Sequence, residues 1–327
     1  MSSRIKFVTA SVVALGLLGG PSVWALGQEV TLSYRWTKGE TVRYRMIQQS
    51  TTTISGLPGG MGDMTIDQSN IQTIRTEAED ITPDGTTTLR QTHESVKVEM
   101  NGPMGMMSYD SANPETSDNP MNAMLKGIFT AMIGESFTLV IAPTGAVQKV
   151  EGVSKLAEKM FKAIPQDPAS AGIINGLKSN ISDDAMRNMF TQAFAQFPDR
   201  PLKPGDTWNS QFTTTNPMLG AMTTSTTSTL KAVEGDGSNR VARIATSVTM
   251  KQDATKPAQP NPMGFSMQMD DSVGEGEQLF DATTGRLRRS TTRATMPLTM
   301  SGAGPDGTPM TMKTNVKTTI TVELVQQ

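Results

Sequence analysis

Residues 35–44 read RWTKGETVRY and residues 200–208 read RPLKPGDTW. Each has a Lys-containing turn, then Gly, an acid and Thr in succession, with an aromatic residue within the next three positions. Glycine at such a turn supplies the positive φ that a tight β connection needs. The same turn-to-strand phrase therefore opens two parts of the chain.

Working outward from each copy, further landmarks recur in the same order. From KGET (38–41) the chain runs through two strand-like stretches to the turn PDG (83–85), a strand over 86–100, and then FTLVIAPTGAVQKV (137–150). From PGDT (204–207) it runs through two strand-like stretches to GDG (235–237), a strand over 239–251, and then EQLFDATTGRLRRS (277–290). Gly39, Gly85 and Gly145 thus correspond to Gly205, Gly237 and Gly285, which predicts two related β units. The first is longer because it contains a Met-rich loop and a helix.

Side-chain alternation gives the class of sheet. Val42, Tyr44 and Met46 alternate with Arg43 and Arg45, and Val96, Val98 and Met100 alternate with Lys97 and Glu99. In the last segment Met312, Val316, Ile320, Val322 and Leu324 oppose Lys313, Lys317, Thr319 and Glu323. One apolar and one polar face is the pattern of antiparallel sheet packed on one side. VTLSYRW (30–36) reads as a further strand, with Val30, Leu32, Tyr34 and Trp36 on one face. The 44 threonines reinforce this, since a β-branched side chain favours strands over helix interiors. An unbroken strand over 311–325 would be about 50 Å long, so the sheet is expected to curve.

Two regions read as helix. MNAMLKGIFTAMI (121–133) places Met121, Met124, Leu125, Ile128, Phe129 and Met132 at helical spacing, entered through Asn119 and Pro120 and ended by Gly134. Residues 153–197 hold two further stripes, one through Leu156, Met160 and Phe161, the other through Met186, Met189 and Phe190. The expectation is a mainly β (α+β) fold with a long curved antiparallel sheet and a helical cover between two β units. The boundaries are 1–25 for a signal peptide, 26–152 for the first unit, 153–198 for the helical segment and 199–327 for the second unit.

The N-terminus reads as an export signal: Arg4 and Lys6, an apolar run from Phe7 to Leu18, and small residues before a cut after Ala25. That run is shorter than the roughly 20 residues that span a bilayer, and no later run is longer, so no transmembrane segment is expected. The chain has no cysteine, which excludes a lipidated Cys, disulfides and thiolate chemistry. Its formal charge of −2 is too mild to imply nucleic acid as a partner. An exported protein, periplasmic or extracellular, is expected.

Residues that could carry chemistry are few. His93 is the sole histidine, and alternation with Ser95, Lys97 and Glu99 predicts it on the solvent side of a strand. No G-x-S-x-G elbow is present, so an enzyme of the triad type is not expected. The carboxylates Glu77, Glu79 and Asp80, and Asp270, Asp271, Glu275 and Glu277, lack the spacing of a Ca²⁺ loop. No cofactor is predicted. The leading reading is a non-enzymatic module that holds an apolar or lipid-like molecule, or an apolar segment of an envelope protein, between sheet and helices. Met124, Phe129, Met160, Phe161, Met189 and Phe190 are its candidate contacts, because methionine and phenylalanine re-pack around a guest. Two alternatives stand beside it. One is a closed core with a purely structural or interaction role. The other is Cu(I) binding by some of the 24 methionines, with Met104, Met106 and Met107 as ligands, since thioethers are soft donors.

The phrases Y-x-W-x-x-G-E (34–40), P-T-G-x-V-x-x-V-x-G (143–152) and F-P-x-x-P-x-K-P-G-D-x-W (197–208) resemble an uncharacterised family of exported bacterial proteins, domain of unknown function 6263. The resemblance covers nearly all of the chain after the signal and implies no activity or site residues. A curved antiparallel sheet with a helical cover is also similar in architecture to the lipoprotein-carrier folds of bacterial envelopes.

Overall fold

The computed structural model describes residues 29–57, 62–103, 105–114, 120–164, 183–216, 219–253, 255, 266–303 and 308–325. The expected export signal lies outside the described residues. Thirteen strands form one open, curved, antiparallel sheet. In chain order they are β1 (Thr41–Ser55), β2 (Met64–Ile81), β3 (Thr87–Gly102), β4 (Gly105–Asp110), β5 (Ser136–Ile141), β6 (Val147–Glu151), β7 (Thr207–Asn216), β8 (Gly220–Glu234), β9 (Val241–Gln252), β10 (Ser266–Met269), β11 (Ser272–Asp281), β12 (Arg286–Ala303) and β13 (Pro309–Val325). Three helices are described: α1 (Pro120–Met132), α2 (Val153–Lys162) and α3 (Asp183–Ala193). The first lies inside the first β unit, the other two between the units.

Across the sheet the order is β6-β5-β3-β2-β1-β13-β12-β11-β9-β8-β7, with β4 paired to β3 and β10 to β12 off that path. Matching β1 to β7, β2 to β8, β3 to β9, β5 to β11 and β6 to β12 reproduces the same sequence of neighbours on either side of β13. The two units repeat along the sheet, and β13 joins them.

Local geometry carries the same repeat. The Gly39 N–H donates to the Ala78 carbonyl at 2.8 Å and the Gly205 N–H to that of Leu230 at 2.7 Å. Both glycines have positive φ, 83° and 98°. Glu40 accepts the Thr37 N–H and Asp206 that of Lys203, so each acid closes its own turn. A bulge follows Ala78 against β3, and another follows Leu230 against β9. A second matched pair interrupts β5 against β6 and β11 against β12. Bulges bend a strand and raise its twist, so their placement sets the shared curvature.

The main core sits at the end of the sheet where these turns gather. Leu89, Leu139 and Ile141 from the first unit meet Leu230, Ile244 and Phe280 from the second, all fully buried. The aromatic rings of Tyr34, Phe197 and Phe280 bind this end together, with centroids 4.7–5.5 Å apart.

The structure corrects one expected strand. Residues 30–36 form only a single bridge, Val30 to Leu202, and otherwise cross the turn end of the sheet. The Tyr34 N–H donates to the Pro143 carbonyl and the Arg35 N–H to that of Gly285, so this segment is tied to a turn of each unit. Its alternation is real, with Val30, Leu32 and Tyr34 buried, but its partners are turns.

Candidate functional site

The predicted contacts fall into separate clusters. Phe129 and Met160 pack with Val96, Val98, Met132 and Leu156, and Phe129 stacks on Tyr109 at 5.7 Å. Phe161 is buried with Ala157 and Ile164. Phe190 packs on the main core, 5.4 Å from the Phe137 ring. Met189, the preceding residue of the helix, is 47% exposed. The Met124 side chain lies outside the described residues. Phe129, Met160, Phe161 and Phe190 are thus packed against core side chains.

The two described thioethers of the metal reading, Met106 and Met107, are not gathered either. Met106 is 65% exposed and Met107 is buried, as expected of successive strand residues on opposite faces. Met104 lies outside the described residues. Five of the seven carboxylates are engaged in ion pairs: Glu77 with Arg75, Glu79 with Arg90, Asp80 with Lys38, Asp271 with Lys251 and Glu277 with Arg243. No group of three His, Cys, Asp or Glu suited to a metal occurs among the described residues.

His93 is not on the solvent side. It is buried against Phe137, and burial lowers its pKa from 6.5 to about 4. The cause is a third bulge, which has no counterpart in the second unit: Thr73 faces Ser95 but Ile74 faces His93, so Glu94 is the extra residue. One inserted residue reverses the parity of everything before it. Glu94 instead meets Arg43 at 2.8 Å and Arg75 at 3.6 Å on the polar face.

The described helices cover one flank of the sheet. They pack on Val96 and Val98 of β3 and against β4, β5 and β6. No extended contact joins a helix to β1, β2, β12 or β13 among the described residues. Toward the tip away from the main core, these long central strands carry an apolar patch. Cross-strand register sets Met64, Ile54, Thr314 and Leu298 in one row and Ile66, Thr52, Val316 and Met296 in the next. Met300 and Met312 follow in a third row. All of these side chains are only partly buried. The signal for this surface lay in the alternation of the last strand. Which part of the face the helices leave uncovered could be read only from the fold.

The opposite face at mid-sheet is polar and hollowed. A cavity of about 1080 Å³ runs across it, lined by Gln49, Asp67, Glu275, Arg293 and Lys317 among others, with exposed Met106 and Val273 also on its wall. None of the six predicted contacts lines it. Its charged lining suits water or a polar group, and the apolar surface lies behind it.

The family model described as a family of unknown function, DUF6263, matches residues 84–286. The chain belongs to the DUF6263 family. That span takes in β3 to β11 with all three helices, and leaves β1, β2 and β13 outside it. No curated protein matches the DUF6263 chain. Among solved structures it is similar to lipovitellin, described for its lipid–protein interactions, at 12% identity and a TM-score of 0.43 over 89% of this chain. It spans only 26% of the lipovitellin chain. An outer membrane channel from Pseudomonas putida F1 is similar at 8% identity over 88% of this chain and 97% of its own, with a TM-score of 0.21. DynF from the dynemicin biosynthesis pathway of Micromonospora chersina aligns at 8% identity over 94% and 92%, with a TM-score of 0.19. No described helix is long and apolar enough to cross a membrane.

Proposed function

We propose that this member of DUF6263 is an exported, non-enzymatic binding protein whose ligand is an apolar or lipid-like molecule. The ligand lies against the face of β1, β2, β12 and β13 on which no described helix packs. The observation behind this reading is the run of half-buried Ile, Val, Leu and Met side chains on four adjacent long strands. Covering such a face stabilises a complex by roughly 25 cal/mol per Å² of apolar surface removed from water. Its methionines adapt to guests of different shape. Export rests on the residue pattern of 1–25, and the non-enzymatic reading on a chain without cysteine whose one histidine is buried.

Native mass spectrometry of the protein purified from its own envelope, followed by organic extraction, tests the ligand. A co-purifying lipid, or binding of a hydrophobic fluorescent probe that Val316→Lys abolishes, supports the reading. Apo protein that binds no probe while folded overturns it. Intact mass tests export, since the mature chain begins at Leu26 if the cut follows Ala25.

A further inference from the structure

The methionines that alternation scattered along the sequence come together at the far tip of the sheet. Met267 of β10 is directly opposite Met300 of β12, and Met300 is directly opposite Met312 of β13. Three thioethers therefore form one row on one face across three adjacent strands. Met310, two residues before Met312, faces Gly302, which has no side chain and leaves the space beside Met300 open. Met269 faces Leu298 in the neighbouring row. With Met64 and Met296, seven of the 24 methionines share this patch.

From this row we infer that Met267, Met300 and Met312 form a binding site for a soft monovalent metal ion, Cu(I). Directly opposed residues on neighbouring strands have Cα atoms about 4.5–5.5 Å apart. The outer two side chains each cross one strand spacing to reach a point above Met300. An unbranched methionine has three rotatable bonds, so it can lean that far without moving the backbone. The chemistry of the surroundings selects the ion. Same-face neighbours are Ile54, Leu298 and Thr314, and Lys313 and Thr311 lie on the opposite face, so neither carboxylate nor imidazole is offered. Hard cations need oxygen donors and Zn²⁺ prefers nitrogen or thiolate, whereas Cu(I) accepts a thioether-only shell in apolar surroundings. Met300 is the middle ligand and receives the ion from both sides. Met310 is placed to add a fourth sulfur over Gly302.

The row lies on the face given to the apolar ligand, so metal binding is read with the metal alone and ligand binding with the hydrophobic probe alone. Purified full-length protein is titrated anaerobically with Cu(I) against a chromophoric chelator. One equivalent per chain is expected to pass to the protein. Met300→Leu should weaken binding by at least roughly tenfold, since loss of even an outer-shell partner of a metal ligand costs about 10–100-fold. Met106→Leu should leave it unchanged. Leucine keeps the surface apolar and the volume nearly constant, so a loss of metal in the Met300→Leu variant reports the missing sulfur and not a change of fold. Methyl-labelled methionine spectra of the unmutated protein provide a readout that needs no variant: Ag(I), a redox-inert substitute, should shift Met267, Met300 and Met312. Failure to draw Cu(I) from the chelator overturns the inference, as does unchanged affinity in a triple Leu variant. Ag(I) shifts confined to other methionines also overturn it.

Discussion

Arg286 donates a 2.5 Å hydrogen bond to the Glu40 carboxylate, and its guanidinium carbon lies 3.7 Å from the centroid of the Trp36 ring. Glu40 belongs to the turn that opens the first β unit, and Arg286 starts β12 of the second. The equivalent acid of the second unit, Asp206, pairs instead with nearby Arg200 at 3.0 Å. The repeat is thus broken at a place where its two copies meet.

That joint gives an asymmetric mutational outcome. Glu40→Ala leaves a guanidinium with 6% side-chain exposure without its partner, and is expected to cost about 3 kcal/mol. Arg286→Met removes the buried charge itself and keeps apolar contact with Trp36. It should cost less. Urea midpoints of the two variants decide the order, and a larger loss for Arg286→Met would contradict the assignment.

The turn glycines separate backbone strain from close packing. A Cβ on Gly39 would meet nothing within 4 Å, so Gly39→Ala carries only the left-handed backbone penalty, about 1–2 kcal/mol. A Cβ on Gly145 would lie 2.2 Å from the Ala195 carbonyl oxygen, and on Gly285 2.7 Å from that of Ser33. Each of these turns docks on the segment leading into the other unit. Gly145→Ala and Gly285→Ala should both destabilise more than Gly39→Ala, and thermal unfolding of the three variants checks that ranking.

His93 makes stability depend on pH in a definite window. Its folded pKa of about 4 lies below the ordinary 6.5, so the unfolded chain binds the proton more readily between those values. Its contribution is complete above pH 6.5 and is lost as pH falls toward 4, by up to about 3 kcal/mol. Carboxylates titrate in the lower part of the same range, so the measurement is a difference between proteins. In His93→Gln the stability decline from pH 6.5 to 5 should be shallower than in the unmutated chain. A histidine ring signal that titrates near 6.5 in the folded protein would refute the buried placement.

What could be read from the sequence follows from how locally each feature is encoded. The turns at Gly39 and Gly205 need a left-handed residue beside a capping acid, a requirement visible within four positions. The unbroken Pro309–Val325 strand declares itself through strict alternation. His93 escaped because the bulge at Glu94 has no residue signature, and one inserted residue inverts any parity argument that crosses it. Residues 30–36 alternate as a strand does, yet their partners are turns more than 100 positions away along the chain. The helical stripes were legible as buried faces. Periodicity reports that a face is covered and not by what, so Phe190 and Met160 read equally well as ligand contacts or as core.

That last ambiguity is resolved by two substitutions measured in two assays. Phe190 packs on the main core near Phe137 and Phe194, so Phe190→Ala should lower stability by about 3 kcal/mol, the low end for a core phenylalanine because its ring is only partly buried. It should not change binding of a hydrophobic probe once the protein is folded, because the ring is on the flank that the helices cover. Val316→Ser acts in the reverse sense. The residue is half-buried on a central strand where no described helix packs, so its replacement should cost little stability and weaken the probe by removing apolar contact area. The pair must therefore dissociate, stability falling with one and binding with the other. Weakened probe binding in folded Phe190→Ala, with Val316→Ser unchanged, would return the ligand to the helical cover and remove it from the open face of the central strands.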